Sequence, residues 1–285
     1  MRANGVAIAP GPSYVFDNGG RYAETRYQAL STLYDEKTVR HIKHCGIDTG
    51  WSCLEVGGGG GSIACWLCLR VGSSGRVLAT DLDPRFLSML SFPNLEVWRH
   101  DIQKDWLPSE QFDLVHARLV LMHLPDREAA LRRMLDALKP GGWIVVEEFD
   151  ALSLLPDEAT SPGEKNLRIR HAFQEVLTAR GVDLRYGHLL AGRLEAHGLS
   201  SVGSEASVSM WCGNSTGSRF MRLNFEELRE PMVCSGLISP DQLQEDLSCV
   251  EHQDCRMPSP MLWSAWGRKP IHDVPGPADD EFIYW

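Results

Sequence analysis

The stretch Leu54-Glu-Val-Gly-Gly-Gly-Gly-Gly-Ser62 decides the architecture. Ser52-Cys-Leu-Glu-Val56 before it reads as a short buried strand, and residues 62–71 after it read as a helix. Glycine serves where a chain turns sharply and where a ligand must come close to the backbone. A strand, a glycine turn and a helix N-terminus in that order make a nucleotide-binding edge at the carboxyl end of a parallel sheet. Asp81 closes the next predicted strand, Arg76-Val-Leu-Ala-Thr80. A carboxylate there can accept from both hydroxyls of a ribose.

Outward from this unit the same alternation continues. A helix is predicted from Asp83-Pro84 to about Leu90, with strands at 95–98 and 112–116 and a helix over 126–138 capped by Asp126. Pro140-Gly-Gly142 reads as a turn and 143–147 as a fifth strand. Strands alternating with helices imply βαβ units, hence a mostly parallel sheet with helices on both faces. Upstream, Tyr22, Leu30, Leu33, Tyr34, Val39 and Ile42 recur at three- and four-residue steps and predict a helix within 20–45. Downstream, helices are expected at 160–180, 188–198, 217–234 and 240–252, and strands at about 205–211 and 261–266. The division expected is an N-terminal helical lid (1–45), a Rossmann-like core (46–150), cover helices with the last strands (151–267) and a tail (268–285).

Composition narrows the class. The 285 residues are 43% hydrophobic and 23% charged, too apolar for disorder. Lys and Arg total 28 against 38 Asp and Glu, so the net charge is -10. Such a chain is poorly suited to hold nucleic-acid phosphates or an anionic membrane by bulk charge. No window carries 18 consecutive apolar residues, and Met1–Pro12 holds no long apolar h-region, so a cytoplasmic protein is expected. Eight cysteines include Cys65-x-x-Cys68, but no second pair stands at zinc spacing, so free thiols and no metal are expected.

Two ligand classes share this sheet edge. Gly59-x-Gly61-x-x-Ala64 fits the dinucleotide fingerprint, although five consecutive glycines satisfy many patterns. Glu55 discriminates: a buried anion beside the loop repels a pyrophosphate but accepts hydrogen bonds from an ammonium. At these residues the chain resembles the class I S-adenosylmethionine-dependent methyltransferases. Their first motif, Glu/Asp-x-Gly-x-Gly-x-Gly, is matched by Glu55, Gly57, Gly59 and Gly61, with Gly58 and Gly60 as extra glycines. The resemblance covers residues 50–150. It implies a seven-stranded Rossmann-like sheet ending in an antiparallel hairpin, with S-adenosyl-L-methionine as cofactor. It also implies that Asp81 binds ribose, that Leu82 and Ile102 pack on adenine, and that Asp101 holds the adenine amino group. The segment Phe112–Arg118 would wall the methionine moiety, and Lys139-Pro-Gly-Gly-Trp143 is similar to the family's turn before the fifth strand.

A sulfonium donor leaves the enzyme to align the acceptor and remove its proton. His123 follows the fourth strand and is a natural near-neutral base. Glu148 follows the fifth. Tyr14 and Tyr22 are lid candidates, because the family's small-molecule members close N-terminal helices over their ligands. His171, Tyr186 and Trp211 are candidate pocket liners. The chain has no Asp/Asn-Pro-Pro-Tyr segment after the fourth strand, a motif common in amino-methylating enzymes for nucleobases. The reading is methyl transfer to O, N or C of a small organic acceptor, a natural product with aromatic ones among the candidates, and a homodimer paired through N-terminal helices. Two rivals stand beside it: an NAD(P)-dependent oxidoreductase, and a non-methylating cyclase that keeps the donor.

Overall fold

A computed structural model describes residues 15–152 and 163–271. The fourteen N-terminal residues, 153–162 and 272–285 lie outside it, and with them Tyr14 and the aromatic end of the predicted tail. Helix α1 spans Ala23–His44, followed by strand β1 (Ser52–Val56), α2 (Ser62–Val71), β2 (Arg76–Asp81), β3 (Leu95–Arg99) and β4 (Phe112–Arg118). Helix α3 (Arg127–Ala137) starts at Asp126, whose side chain accepts from the Ala129 N–H at 3.1 Å, and leads into β5 (Leu138–Asp150). The second half holds α4 (Gly163–Ala179), α5 (Tyr186–Ala196), β6 (Ser200–Ser207), β7 (Met210–Cys212), α6 (Thr216–Glu227), α7 (Arg229–Cys234), α8 (Pro240–Glu251), β8 (Arg256–Pro258) and β9 (Met261–Arg268).

Seven strands form one sheet in the order β3-β2-β1-β4-β5-β9-β6. The first five run parallel, and β9 runs antiparallel to both β5 and β6. All five residues of β1 are buried, the pattern of a strand covered on both faces. Chain order reverses direction between β1 and β4, which opens a crevice at their carboxyl ends. Helix α1 packs on α6 across that end, and α4 packs on α8. No helix among the described residues is long and apolar enough to cross a membrane.

Four local expectations are corrected. Residues 83–90 form only a single helical turn, Leu87–Met89. Leu90 is extended, and Leu87 and Leu90 instead plug beneath the glycine loop, so tertiary packing overrides helix propensity. Strand β5 begins at Leu138 rather than Trp143. Phe112 pairs with Leu138 and Leu114 with Trp143, so residues 139–142 bulge out between two paired positions, with Gly141 at φ +78°. The strand expected at 205–211 starts at Ser200, and its end splits off: Met210–Cys212 pairs with β8 in a separate two-stranded ribbon that sequence pattern did not reveal. Residues 217–234 divide into α6 and α7 at Leu228.

Candidate active site

The glycine loop is shaped by close approach. Gly57 and Gly59 adopt φ of +68° and +50°, a region that strains any residue with a Cβ. A Cβ on Gly57 would lie 2.4 Å from Val120 Cγ2, and one on Gly59 would lie 2.7 Å from Tyr27 Cε1. Gly58 and Gly60 are not slack: Leu87 abuts one and Tyr27 the other. The loop is tied to β2, where the Gly58 N–H donates to Thr80 O at 3.0 Å.

Three acids surround this loop, each held differently. Asp81 is buried, and its Oδ2 accepts from the Gly59 N–H at 2.9 Å while Oδ1 accepts from the Asp83 N–H at 2.9 Å. Burial raises its pKa, opposed by those two bonds. Each oxygen keeps acceptor capacity for a ligand hydroxyl. Asp101 accepts from the Gln103 N–H at 3.0 Å and pairs with Lys104 at 2.9 Å. Burial works against its charge, but Lys104 and Gln103 bring its pKa below the usual carboxylate value.

Glu55 is 3% exposed and stands opposite His116 in the β1–β4 register, its Oε2 2.6 Å from His116 Nδ1. His116 Nε2 lies 3.6 Å from Glu147 Oε2. Glu147 in turn accepts from Ser264 Oγ at 2.6 Å and from the Thr38 hydroxyl, and sits 3.2 Å from His41 Nδ1. Burial alone would depress the imidazole pKa, but Glu55 and Glu147 overcome it and hold His116 at about 9. Burial likewise opposes the Glu147 charge, yet His116, His41 and Arg118 hold its carboxyl well below the usual range. An imidazolium between two carboxylates thus runs across the sheet from the loop to α1.

The loop and acids form one half of a cavity of about 900 Å³. The other half is apolar, walled by Phe16, Phe149, Phe173, Leu177, Leu184 and Met221. This is near the top of the range of about 300–1,000 Å³ for small-ligand sites, enough for a donor and a second molecule side by side.

Comparison with known proteins agrees with this geometry. A sequence model described as a methyltransferase domain matches residues 22–205. The chain belongs to the class I S-adenosylmethionine-dependent methyltransferases. Methyltransferase str2 of Strobilurus tenacellus is 32% identical over 144 residues, covering 50% of this chain and 51% of that protein. The ubiquinone/menaquinone biosynthesis C-methyltransferase UbiE of Coxiella burnetii is 30% identical over 126 residues, 41% of this chain and 50% of its own. The chain therefore spans about half the length of the curated relatives it matches. The fold is shared with the Haemonchus contortus phosphoethanolamine N-methyltransferase 2 solved with S-adenosyl-L-methionine, at TM-score 0.56 and 16% identity, over 89% of this chain and 59% of that one.

Within this methyltransferase fold the predicted residues separate into two groups. Glu55, Gly57, Gly59, Asp81, Leu82, Asp101, Ile102, Arg118 and His123 line the cavity. Arg118 also ties α1 to the sheet, donating from Nη1 to Thr38 Oγ1 at 2.9 Å and from Nη2 to Asp35 Oδ1 at 2.8 Å. Burial, Arg26 and Arg127 lower the pKa of His123 to about 4, so its imidazole is neutral at pH 7 and a proton acceptor, though a weak one.

The others lie elsewhere, for identifiable reasons. Gly61 forms the left-handed N-cap of α2 against Leu90. Glu148 is fully buried away from the cavity wall, its Oε1 accepting from the N–H groups of Val120 (3.0 Å) and Leu121 (2.6 Å), and burial lifts its pKa to about 8. It positions the turn carrying His123 rather than facing an acceptor. Tyr22 caps the start of α1 beneath Arg21, one helical step from the cavity-lining face. His171 points to solvent from α4, while its neighbour Arg170 lines the cavity. Tyr186 is buried beside Arg127, and Trp211 packs on Gly217 and Phe220.

Sequence reasoning passed over Phe16, Arg26, Tyr27, Arg170, Phe173 and Asn224 as site residues. The α1 pair was legible: Arg26, Tyr27 and Leu30 share a face at helical spacing. The α4 and α6 residues were not, because nothing local marks which face of a cover helix meets the cavity. No cluster of three metal-ligating side chains and no disulfide occurs among the described residues.

Proposed function

We propose that this chain transfers a methyl group from S-adenosyl-L-methionine to a small, largely apolar organic acceptor. The observation that carries the reading is one continuous cavity whose acid-rimmed glycine half adjoins an aromatic and aliphatic half. The donor is cationic and rich in hydroxyls, and Glu55, Asp81 and Asp101 supply acceptors beside a cradle that any Cβ would fill. Asp81 takes the ribose hydroxyls, Asp101 and Ile102 the adenine, and Glu55 the ammonium. When bound, the donor supplies an electrophilic methyl group on sulfur.

The chain's own residues do the rest. The apolar wall excludes water and orients the acceptor, which is where binding energy most lowers the barrier of a displacement. His123, neutral in the cavity wall, takes the acceptor proton. The weak basicity of this histidine suits an acceptor whose proton is itself acidic. A dinucleotide fits less well, since a pyrophosphate at this loop would meet the buried Glu55.

The deciding experiment is a thermal-shift titration. Stabilisation by S-adenosylhomocysteine, with none by NAD or NADP, is expected. The reverse pattern would refute the reading. A mass gain of one methyl on an acceptor drawn from a panel of phenols, amines and enolisable ketones separates transfer from a role limited to donor binding.

A further inference from the structure

The acceptor half of the cavity contains an arginine that no acid among the described residues neutralises. Arg170, on α4, is 8% exposed. Its Nη2 donates to Pro258 O at 3.2 Å, and its Nη1 has no hydrogen-bond partner among the described residues. Burial lowers its pKa, and no described carboxylate compensates. The contrast within the same protein is sharp. Arg26, also buried and also at the cavity, pairs with Glu227, and Arg118 pairs with Asp35. Arg168, two residues away on α4, pairs with Asp246.

A second polar group lies in this wall. Asn224, on α6, is 5% exposed with its Oδ1 unpartnered among the described residues. Its amide can turn to present its NH2 instead. Among the described side chains, the cavity-lining acids Glu24, Asp17, Glu55, Asp81, Asp83 and Asp101 belong to the N-terminal segment, α1 and the glycine-loop edge, and none comes from α4 or α6. A guanidinium buried in an apolar wall is costly unless it meets an anion, and here a ligand is the group that can supply one.

We infer that the acceptor carries an anionic group, a carboxylate or an acidic oxyanion of similar shape, which Arg170 and Asn224 bind while the aromatic wall takes the apolar body. The inference rests on the proposed acceptor half of the site, but it concerns a subsite whose charge preference can be read without turnover. The planar fork of arginine suits two-oxygen anions better than a neutral amide, and charge-assisted bonds of this kind favour the anion by about ten- to hundredfold.

The test uses the full chain, with and without S-adenosylhomocysteine, and two isosteric probes: 4-hydroxybenzoate and 4-hydroxybenzamide. Calorimetric or thermal-shift titration to 50 mM is expected to show the carboxylate binding at least tenfold more tightly than the amide. In Arg170→Met that ratio should fall to near one while donor-product affinity is unchanged. Equal binding of the two probes, no binding of 4-hydroxybenzoate, or a carboxylate preference that survives Arg170→Met would overturn the inference. If Arg170→Met does not fold, the wild-type ratio and the same titration on Asn224→Leu, expected to reduce that ratio severalfold, decide it. Failure of S-adenosylhomocysteine to bind would refute the donor reading alone, because the probe ratio measured without it still reports on the subsite.

Discussion

Substituting His116 by glutamine should destabilise the fold by roughly 3 kcal/mol at pH 6, and the loss should shrink as pH rises. The imidazole is 2.6 Å from Glu55 and 3.6 Å from Glu147, and it is wholly buried. Its pKa rises from 6.5 to about 9 on folding. At about 1.4 kcal/mol per tenfold, that rise is worth roughly 3 kcal/mol to the folded state. The figure agrees with the about 3–5 kcal/mol expected when one partner of a buried ion pair is removed. The sign follows from the direction. A histidine pKa raised on folding stabilises fully below 6.5, and the contribution is lost as pH climbs through 9. Urea unfolding followed by tryptophan fluorescence, on wild type and His116→Gln at intervals from pH 6 to 9.5, measures the difference. Glu148 also contributes a pH slope in this window but is common to both proteins, so it cancels in the difference curve, which reports His116 together with its carboxylate partners. A difference below 1 kcal/mol at pH 6, or one that does not change with pH, would show that the imidazolium between Glu55 and Glu147 is not a real feature of the fold.

Three other outcomes are expected. Asp81→Ala should weaken S-adenosylhomocysteine binding by roughly 2–3 kcal/mol by calorimetry, since the carboxylate accepts from the Gly59 and Asp83 N–H groups and, in the proposed site, from the ribose hydroxyls; unchanged affinity would refute that role. His123→Ala should lower turnover by about a hundredfold or more with donor affinity intact, and a near-normal rate would return His123 to a packing role. Glu148→Gln should gain stability relative to wild type progressively from about pH 4.5 to 8, by about 1.4 kcal/mol per pH unit, and the gain should level off above pH 8 in urea unfolding. A carboxyl whose pKa is raised to about 8 loses folded-state stability as pH rises from its unfolded value toward 8, and glutamine does not ionise. A large loss at pH 6 would contradict the neutral, turn-capping role.

Much of the glycine-loop half of the cavity was legible in the chain, because it is built from local grammar. Residues 54–62 specify strand, turn and helix within nine positions, Asp81 ends β2 and Asp101 follows β3 by two residues, so sequence order brings them to one sheet edge. The apolar half was not legible in the same way. His171 and Arg170 are neighbours on one helix, and only the packing of α4 against the rest of the cover turns Arg170 to the cavity and His171 to solvent. Trp211 looked like a pocket aromatic, but its strand leaves the main sheet to pair with β8, and the ring is spent on Gly217 and Phe220.

The sequence by itself determined the alternation of strands and helices, the glycine loop, and the acids at the strand ends, since each depends on periodicity or on neighbours a few residues away. Tertiary structure alone decided which carboxylates are free to meet a ligand. Glu147 and Glu148 are adjacent on β5, yet strand alternation sends them to opposite faces. One is ion-paired below the usual carboxylate range and the other is desolvated to a pKa of about 8, and neither lines the cavity. Their charge and role are set by partners from β4, β9 and the turn after β4, and such long-range pairings leave no mark in the residues on either side.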